Sequence, residues 1–138
     1  MADRQAIENM LASWAYGYDE REPERMRAAF TEDARMNMEI GLGDGKELMG
    51  PYEGIEEVMG LFTDHHGEQR DQRRHVTTNL VVLDETDTTA SIVSYLSLFV
   101  TAGNDVRLQA TGVYRDQVVL VDGAWRIRER LLQLDVHY

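Results

Sequence analysis

Two residues of this chain, Asp19 and His75, are of the types that carry out proton transfer together. Asp19 ends an amphipathic stretch, Trp14-Ala-Tyr-Gly-Tyr-Asp19, and His75 begins a β-rich half, in Arg73-Arg74-His75-Val-Thr-Thr-Asn79. A carboxylate beside an imidazole fixes its tautomer and raises its basicity, which makes the imidazole a general base near neutral pH. If the fold brings the two residues together in a pocket, the pattern predicts an enzyme that moves protons on a small molecule.

Each of the two residues also has an ordinary structural interpretation. Asp19 can be a solvated acid at a helix end that pairs with a nearby arginine, because most surface acids form only weak ion pairs. His75 can be a core histidine bonded to backbone, and its arginine neighbours would lower the pKa of its imidazole if they were close and unpaired. On the residues alone, both interpretations stay open.

The composition narrows the class of protein. The chain has 138 residues, a net charge of -11, no cysteine and a single lysine, Lys46, in a glycine-rich turn. An acidic surface repels phosphate backbones, so nucleic acid is not an expected partner. The lack of cysteine excludes disulfides, thiolate metal sites and a cysteine nucleophile. A Schiff-base lysine needs a desolvated site, which a solvated turn does not provide.

The length of the chain favours one domain over residues 1–138, large enough to bury a core and enclose a cavity. No apolar run approaches the roughly 20 residues that span a bilayer. The first residues, Met-Ala-Asp-Arg-Gln, lack the apolar segment of a signal peptide. The expected location is therefore the cytoplasm, with no membrane partner.

The first third of the chain has the periodicity of helices. One stripe at i, i+4, i+7 and i+11 consists of Ile7, Leu11, Trp14 and Tyr18. Asp19 falls at the edge of this stripe, where a carboxylate can face a cavity. Pro23 suits the first position of a second helix, which is predicted through Phe30 and ended by Thr31-Glu-Asp-Ala34. A third helix is predicted from Gly54-Ile55 to about Thr63.

The rest of the sequence predicts strands. A short strand over Arg35 to Ile40 is followed by a turn at 41–45, and from Arg74 onward the chain is β-rich. The later strands are predicted at Thr89 to Thr101, Val106 to Val121 and Ala124 to Val136, with hairpin turns at Gly103-Asn104 and Asp122-Gly123. Helices placed before an antiparallel sheet predict an α+β fold, in which a curved sheet and its helices form a cone with an open mouth.

Several segments, in this order and spacing, resemble the SnoaL-like branch of the NTF2-like superfamily. They are Tyr18-Asp19, Met26-Arg-Ala-Ala-Phe30-Thr-Glu-Asp33-Ala34, Gly54-Ile55, Arg74-His75-Val-Thr-Thr-Asn79 and Asp122-Gly123-Ala-Trp125-Arg-Ile-Arg-Glu-Arg130. The resemblance covers nearly the whole chain. It implies three N-terminal helices packed on a strongly curved, mostly antiparallel sheet that encloses a pocket.

Within this superfamily the chain is most similar to scytalone dehydratase, bile-acid 7α-dehydratase and hexachlorocyclohexane dehydrochlorinase. The resemblance implies that Asp19 and His75 form a catalytic dyad, with Tyr18 beside the acid and Arg130 or Arg128 on the final strand. Unlike scytalone dehydratase, the chain has no histidine between Ser91 and Thr101. The superfamily also holds cyclases, isomerases and dioxygenase small subunits without catalytic activity, so the fold alone does not choose among them.

A pocket around the dyad is expected to involve aromatic, methionine and polar side chains, although core packing explains each of them equally well. The predicted pocket residues are Trp14, Met36, Met38, Tyr52, Phe62, Asn79, Tyr95, Tyr114 and Arg128. His65 and His66 are adjacent and point in different directions, so neither a metal nor a cofactor is expected. They are expected in a polar segment, 63–72, near the mouth of the cavity, where a lid is one hypothesis.

The sequence therefore predicts a cofactor-independent lyase of dehydratase type, with an isomerase or a polyketide-type cyclase next, acting on an apolar cyclic or aromatic substrate. His75 would remove a proton and Asp19 would orient it. The alternative is a ligand-binding or accessory subunit without catalysis, like the dioxygenase small subunit. A homo-oligomer, either a trimer or a dimer, is expected to cover the outer face of the sheet.

Overall fold

The computed structural model describes residues 1–137. A short 3₁₀ turn, Gly43–Gly45, separates the first two strands. The elements are α1 (Arg4–Asp19), α2 (Pro23–Arg27), β1 (Phe30–Ile40), β2 (Glu47–Glu53), α3 (Ile55–Glu68), β3 (Gln72–Glu85), β4 (Thr89–Ala102), β5 (Asp105–Val121) and β6 (Ala124–Leu134).

The six strands form one curved sheet in the order β2-β1-β6-β5-β4-β3. All neighbours are antiparallel except β1 and β6, which run parallel. The backbones of β5 and β6 approach closely at one glycine. At Gly112 on β5, an added Cβ would lie 2.5 Å from the carbonyl oxygen of Gln133 on β6. The α+β fold predicted from the sequence is confirmed.

The core lies between the helices and the concave face of the sheet. Along β4, buried and more exposed residues alternate, because successive side chains of a strand point to opposite faces. The stripe of α1 and the apolar face of α3 pack onto the buried set. The shared core includes Ile7, Leu11 and Trp14 of α1, Val58 and Phe62 of α3, and Ile92, Leu96, Val118 and Ile127 of the sheet.

Two helix ends differ from the prediction. Helix α2 ends at Arg27, and the segment expected to end it lies within β1. Phe30 pairs with Ile127 of β6, and the backbone N–H of Ile127 donates to Ala29 O at 2.7 Å. Pairing with the sheet thus overrides a short helical pattern. Helix α3 continues to Glu68, beyond the expected end near Thr63, so the histidine pair belongs to its last turn.

Candidate active site

Asp19 and His75 are in direct contact. The ring Nδ1 of His75 lies 2.6 Å from Oδ1 of Asp19, and the backbone N–H of His75 donates to Oδ2 at 2.9 Å. The two side chains are only 6% and 8% exposed. A carboxylate accepts at both oxygens, so Nδ1 carries a proton and donates it to Asp19. In the neutral imidazole, Nε2 is then the nitrogen that can accept a proton.

The fold brings these residues together through one helix end and one strand. Asp19 is the last residue of α1, and His75 lies near the start of β3, opposite Leu98 on β4. Leu98 is buried, and paired residues point to the same face, so His75 faces the core. The side-chain amide of Gln72 donates to the backbone oxygen of Asp19 at 2.9 Å and ties the helix end to β3.

Aromatic rings surround the imidazole. The Trp14 ring lies 5.6 Å from the His75 ring, and the Tyr18 ring lies 4.7 Å from it, both edge to face. The hydroxyl of Tyr18 donates to Oε1 of the buried Gln69 at 3.4 Å. The imidazole is therefore held by a carboxylate on one side and by aromatic edges on others, with little freedom to rotate.

The imidazole lines an apolar cavity. The enclosed space is about 40 Å³, which is room for roughly three water molecules. Seven residues predicted for the site line it, namely Trp14, Tyr18, Met36, Met38, Phe62, His75 and Tyr114. The remaining lining was not predicted and consists of Leu61, His65, Arg73, Leu96, Leu98, Leu132 and Leu134. The inward positions of the strands would have identified the leucines.

His65 and Arg73 stand where the cavity meets a wider polar groove of about 530 Å³. Nε of Arg73 donates to Oδ1 of Asp71 at 3.1 Å. Burial lowers the pKa of His65, and the nearby charge of Arg73 lowers it further. His65 is therefore neutral at neutral pH. The expectation that the 63–72 segment lies near the cavity mouth fits these positions.

Arg130 is buried behind the aromatic wall of the cavity. Its Nε and Nη2 donate to the two oxygens of Asp116 at 2.8 and 3.0 Å, and the side chains are 1% and 0% exposed. Burial opposes the charged form, but the charge of Asp116 and its hydrogen bonds outweigh it and raise the pKa of Arg130. The guanidinium lies 4.0 Å from the Tyr114 ring centroid and 5.0 Å from that of Trp14.

Two buried N–H groups in this region have no hydrogen-bond partner among residues 1–137. They are Nη1 of Arg130 and Nε1 of Trp14. Trp14 lines the cavity, whereas Arg130 lies behind it. A buried donor without a partner is costly unless something supplies an acceptor. Asp116 was not anticipated from the sequence, although its place two residues after Tyr114 put it on the inward face of β5.

Four residues predicted for the pocket lie outside the cavity. Tyr95 is 53% exposed, because odd-numbered residues of β4 face outward. Arg128 lies on the exposed side of β6, 3.8 Å from Asp33. Asn79 has φ of 58° at a bulge of the edge strand β3. Tyr52 is half-buried on β2, the opposite edge strand.

Within residues 1–137, no group of three or more histidine, aspartate or glutamate side chains converges on a position where a metal ion fits. No helix in this part of the chain is both long and apolar enough to cross a membrane.

Residues 1–131 match the sequence model of the SnoaL-like domain family, and the chain belongs to this family. Comparison with curated protein sequences gave no match. The resemblance inferred from the helix end, the His75 strand and the closing hairpin is therefore confirmed at the level of the family.

Solved structures share the fold at low sequence identity. An NTF2-like protein with a cystatin-like fold from Novosphingobium aromaticivorans superimposes with a TM-score of 0.79 at 18% identity, covering 96% of this chain and 81% of that one. The beta subunit of a candidate aromatic-ring-hydroxylating dioxygenase from the same organism gives 0.83 at 16% identity, covering 98% and 90%. A candidate scytalone dehydratase, also from this organism, gives 0.74 at 24% identity, covering 97% and 87%. These likenesses establish the NTF2-like fold.

Proposed function

We propose that this protein is a cofactor-independent lyase of dehydratase type that uses Asp19 and His75 for proton abstraction. The observation that carries the proposal is the 2.6 Å contact between Nδ1 of His75 and Asp19, with the imidazole lining an apolar cavity. This contact leaves Nε2 as the basic nitrogen. A general base must lie within reach of the proton that it abstracts, and a basic nitrogen on a cavity wall meets this geometric requirement.

In the proposed reaction, Nε2 of His75 removes a proton from a carbon made acidic by a neighbouring carbonyl group or aromatic ring. The C–H electron pair forms a C=C bond while the C–O bond to a hydroxyl group breaks. The imidazolium returns its proton to the departing hydroxide, so the products are an alkene and water. Asp19 stabilises the imidazolium between the two transfers.

Charge that develops on the substrate oxygen needs hydrogen-bond donors. Trp14 presents a buried Nε1–H without a partner among residues 1–137, and Tyr18, whose hydroxyl bonds Gln69, also lines the cavity. Arg130 acts from behind Trp14, where its guanidinium stacks on the indole at 5.0 Å. We assign the direct oxygen contacts to Trp14 and Tyr18, and to Arg130 an electrostatic role.

The lining favours an apolar cyclic or aromatic substrate, because methionine, leucine and aromatic side chains offer few hydrogen bonds. Met36 and Met38 are flexible and can repack around different shapes. Isomerisation or ring closure would use the same base and differ only in where the proton returns. Dehydration is preferred because the aromatic wall supplies donors for a departing or developing oxygen.

A binding or accessory role is the second candidate. The narrow cavity, about 40 Å³, favours it, since a site filled by side chains has no room for a substrate. One solved structure that shares this fold is the beta subunit of a candidate aromatic-ring-hydroxylating dioxygenase. In this role the dyad would be a structural pair, and the outer face of the sheet would serve assembly.

The test is a turnover screen against ring-hydroxylated and β-hydroxy-carbonyl compounds, followed by His75→Ala and Asp19→Asn. We expect both variants to fold and to lose turnover by about 10²-fold or more. His137→Ala and Asp84→Asn remove the same groups at exposed positions and are the matched controls. Full turnover in both dyad variants would refute catalysis by the dyad, and activity of the wild type on no compound would favour the accessory role.

A further inference from the structure

Arg21 adopts a backbone conformation that residues with side chains rarely take. Its φ is 57°, in the left-handed region that favours glycine. The N–H of Glu22 donates to Gly17 O at 2.7 Å, and the N–H of Arg21 donates to Tyr18 O at 3.2 Å. These bonds close α1 in a Schellman motif, in which the position of Arg21 is usually a glycine. An arginine here needs a compensating interaction.

The side chain of Arg21 provides that interaction by binding the end of α3. Its Nη1 donates to His66 O at 2.9 Å, and its Nη2 donates to Gln69 O at 3.1 Å. The last carbonyl groups of a helix lack partners within the helix and form the negative end of its dipole. The guanidinium therefore satisfies two acceptors and complements their charge.

A side chain of helix α3 also binds the end of α1. Nε2 of His66 donates to Tyr18 O at 3.0 Å, and the His66 and Tyr18 rings lie 4.4 Å apart. The ends of α1 and α3 thus bind each other through two side chains, which we call the α1–α3 clasp (Arg21 and His66 with the backbone oxygens they bind). The clasp lies next to Asp19, the last residue of α1.

The clasp lies directly beside the cavity wall. Three lining residues, Leu61, Phe62 and His65, lie on α3 between its midpoint and its last turn. The cavity volume is about 40 Å³, whereas an engineered apolar cavity that binds benzene has about 150 Å³. A small outward displacement of this part of α3 would therefore enlarge the space available to a ring.

We infer that Arg21 is a positioning residue whose hydrogen bonds to α3 set the width of the cavity, and with it the size of ligand that fits. The inference rests on the proposed function only in that the cavity receives the substrate. The side chain of Arg21 bonds carbonyl oxygens of α3, and Arg21 is not among the residues that line the cavity, so we expect its effect on selection by size and not on proton transfer itself.

The first test measures amide hydrogen exchange in full-length protein. We expect Arg21→Ala and Arg21→Gly to speed exchange at residues 67–69 by about tenfold or more, while exchange in β4 and β5 stays as in the wild type. Arg21→Gly also relieves the backbone strain, so it folds even if Arg21→Ala does not. Arg21→Lys should restore protection only in part, because an ammonium group does not bridge two carbonyls as a guanidinium does.

Arg25→Ala is the matched control. Arg25 carries the same charge close to α1 and bonds Glu22 and Ser13, with no hydrogen bond to α3 among the described residues. It should leave exchange at residues 67–69 unchanged. Equal exchange rates in the wild type and in both Arg21 variants would refute the inference that Arg21 holds the end of α3. An increase in Arg25→Ala as large as that in the Arg21 variants would refute it as well.

The second test measures ligand size selection with phenol, 1-naphthol and 9-phenanthrol, followed by quenching of tryptophan fluorescence. We expect Arg21→Gly to favour the larger ring. The Kd for 1-naphthol divided by the Kd for phenol should fall by about fivefold or more relative to the wild type. An unchanged ratio, or no binding of any probe by either protein, would refute the inference that Arg21 sets the width of the cavity. The exchange rates at residues 67–69 test separately whether Arg21 holds the end of α3. Turnover in His75→Ala tests the proposed function independently of both.

Discussion

The buried pair of Asp116 and Arg130 gives the most quantitative prediction. The substitution Asp116→Asn keeps the size of the side chain but removes the negative charge that faces a guanidinium with 1% exposure. The two hydrogen bonds to Arg130, at 2.8 and 3.0 Å, lose their ionic partner. Arg130 is then a buried charge without compensation, and breaking such a pair costs about 3–5 kcal/mol.

The assay is reversible unfolding in urea, followed by circular dichroism. In thermal unfolding of a chain of 138 residues, the same loss of about 3 kcal/mol corresponds to a fall in Tm of roughly 10 °C. The double variant Asp116→Leu with Arg130→Met removes both charges and should recover most of the stability, because an apolar pair of similar volume often equals or exceeds a buried ion pair. A single variant within about 1 kcal/mol of the wild type, or a double variant as unstable as the single one, would refute the reasoning.

Three further predictions concern the sheet, the mouth and the outer face. Gly112→Ala should destabilise by about 1–3 kcal/mol in urea unfolding, because the new Cβ meets a backbone oxygen at 2.5 Å. Burial, aided by a neighbouring arginine, lowers the pKa of His65, so the unfolded chain binds more protons and stability falls as pH drops through about 6.5. His65→Gln should flatten that fall between pH 7.5 and 5.5. We expect an oligomer in light scattering and a shift toward monomer in Tyr95→Glu, since Tyr95 is exposed on the outer sheet face; a wild-type monomer would contradict this.

The contact between Asp19 and His75 could be predicted because local patterns place each residue and the family resemblance pairs the two. The apolar stripe of α1 ends at Asp19, and β3 begins shortly before His75, so a helix end and a strand start suffice to place them. The pocket residues on inward strand positions, such as Met36 and Met38, follow from alternation in the same way.

Two of the residues that were wrongly predicted for the pocket lie on the outward face of a strand. Tyr95 and Arg128 have the residue types of a polar pocket, but their positions on β4 and β6 point outward. The face of a strand changes with a shift of a single residue, and β6 contains a register irregularity against β5. Types and spacing alone do not reveal such an irregularity.

Contacts between elements that are distant in sequence are the second kind of feature that the sequence did not predict. The pairing of Asp116 with Arg130 depends on how β5 lies against β6, where the two residues are register partners. The left-handed conformation of Arg21 carries no sequence signal, since glycine is the residue that normally marks it. These features arise from tertiary packing rather than from local preference.

The contribution of the Asp19–His75 pair to folding can be tested through the stability of the protein. Burying the charge of Asp19 is unfavourable unless its partner compensates for it, and both of its hydrogen bonds come from His75. If the pair exists for catalysis, apolar residues of similar volume should fit its site better. We therefore expect Asp19→Leu with His75→Phe to be more stable than the wild type by about 1–4 kcal/mol in urea unfolding.

The opposite result has its own meaning. A double variant that loses stability would show that the contact between the end of α1 and β3 helps to hold the helix to the sheet. Leu11→Ala in the core of α1 is the control for a purely structural loss, expected at about 2–5 kcal/mol. A loss on that scale would show that folding accounts for the contact between Asp19 and His75, and turnover in His75→Ala would then decide the catalytic role.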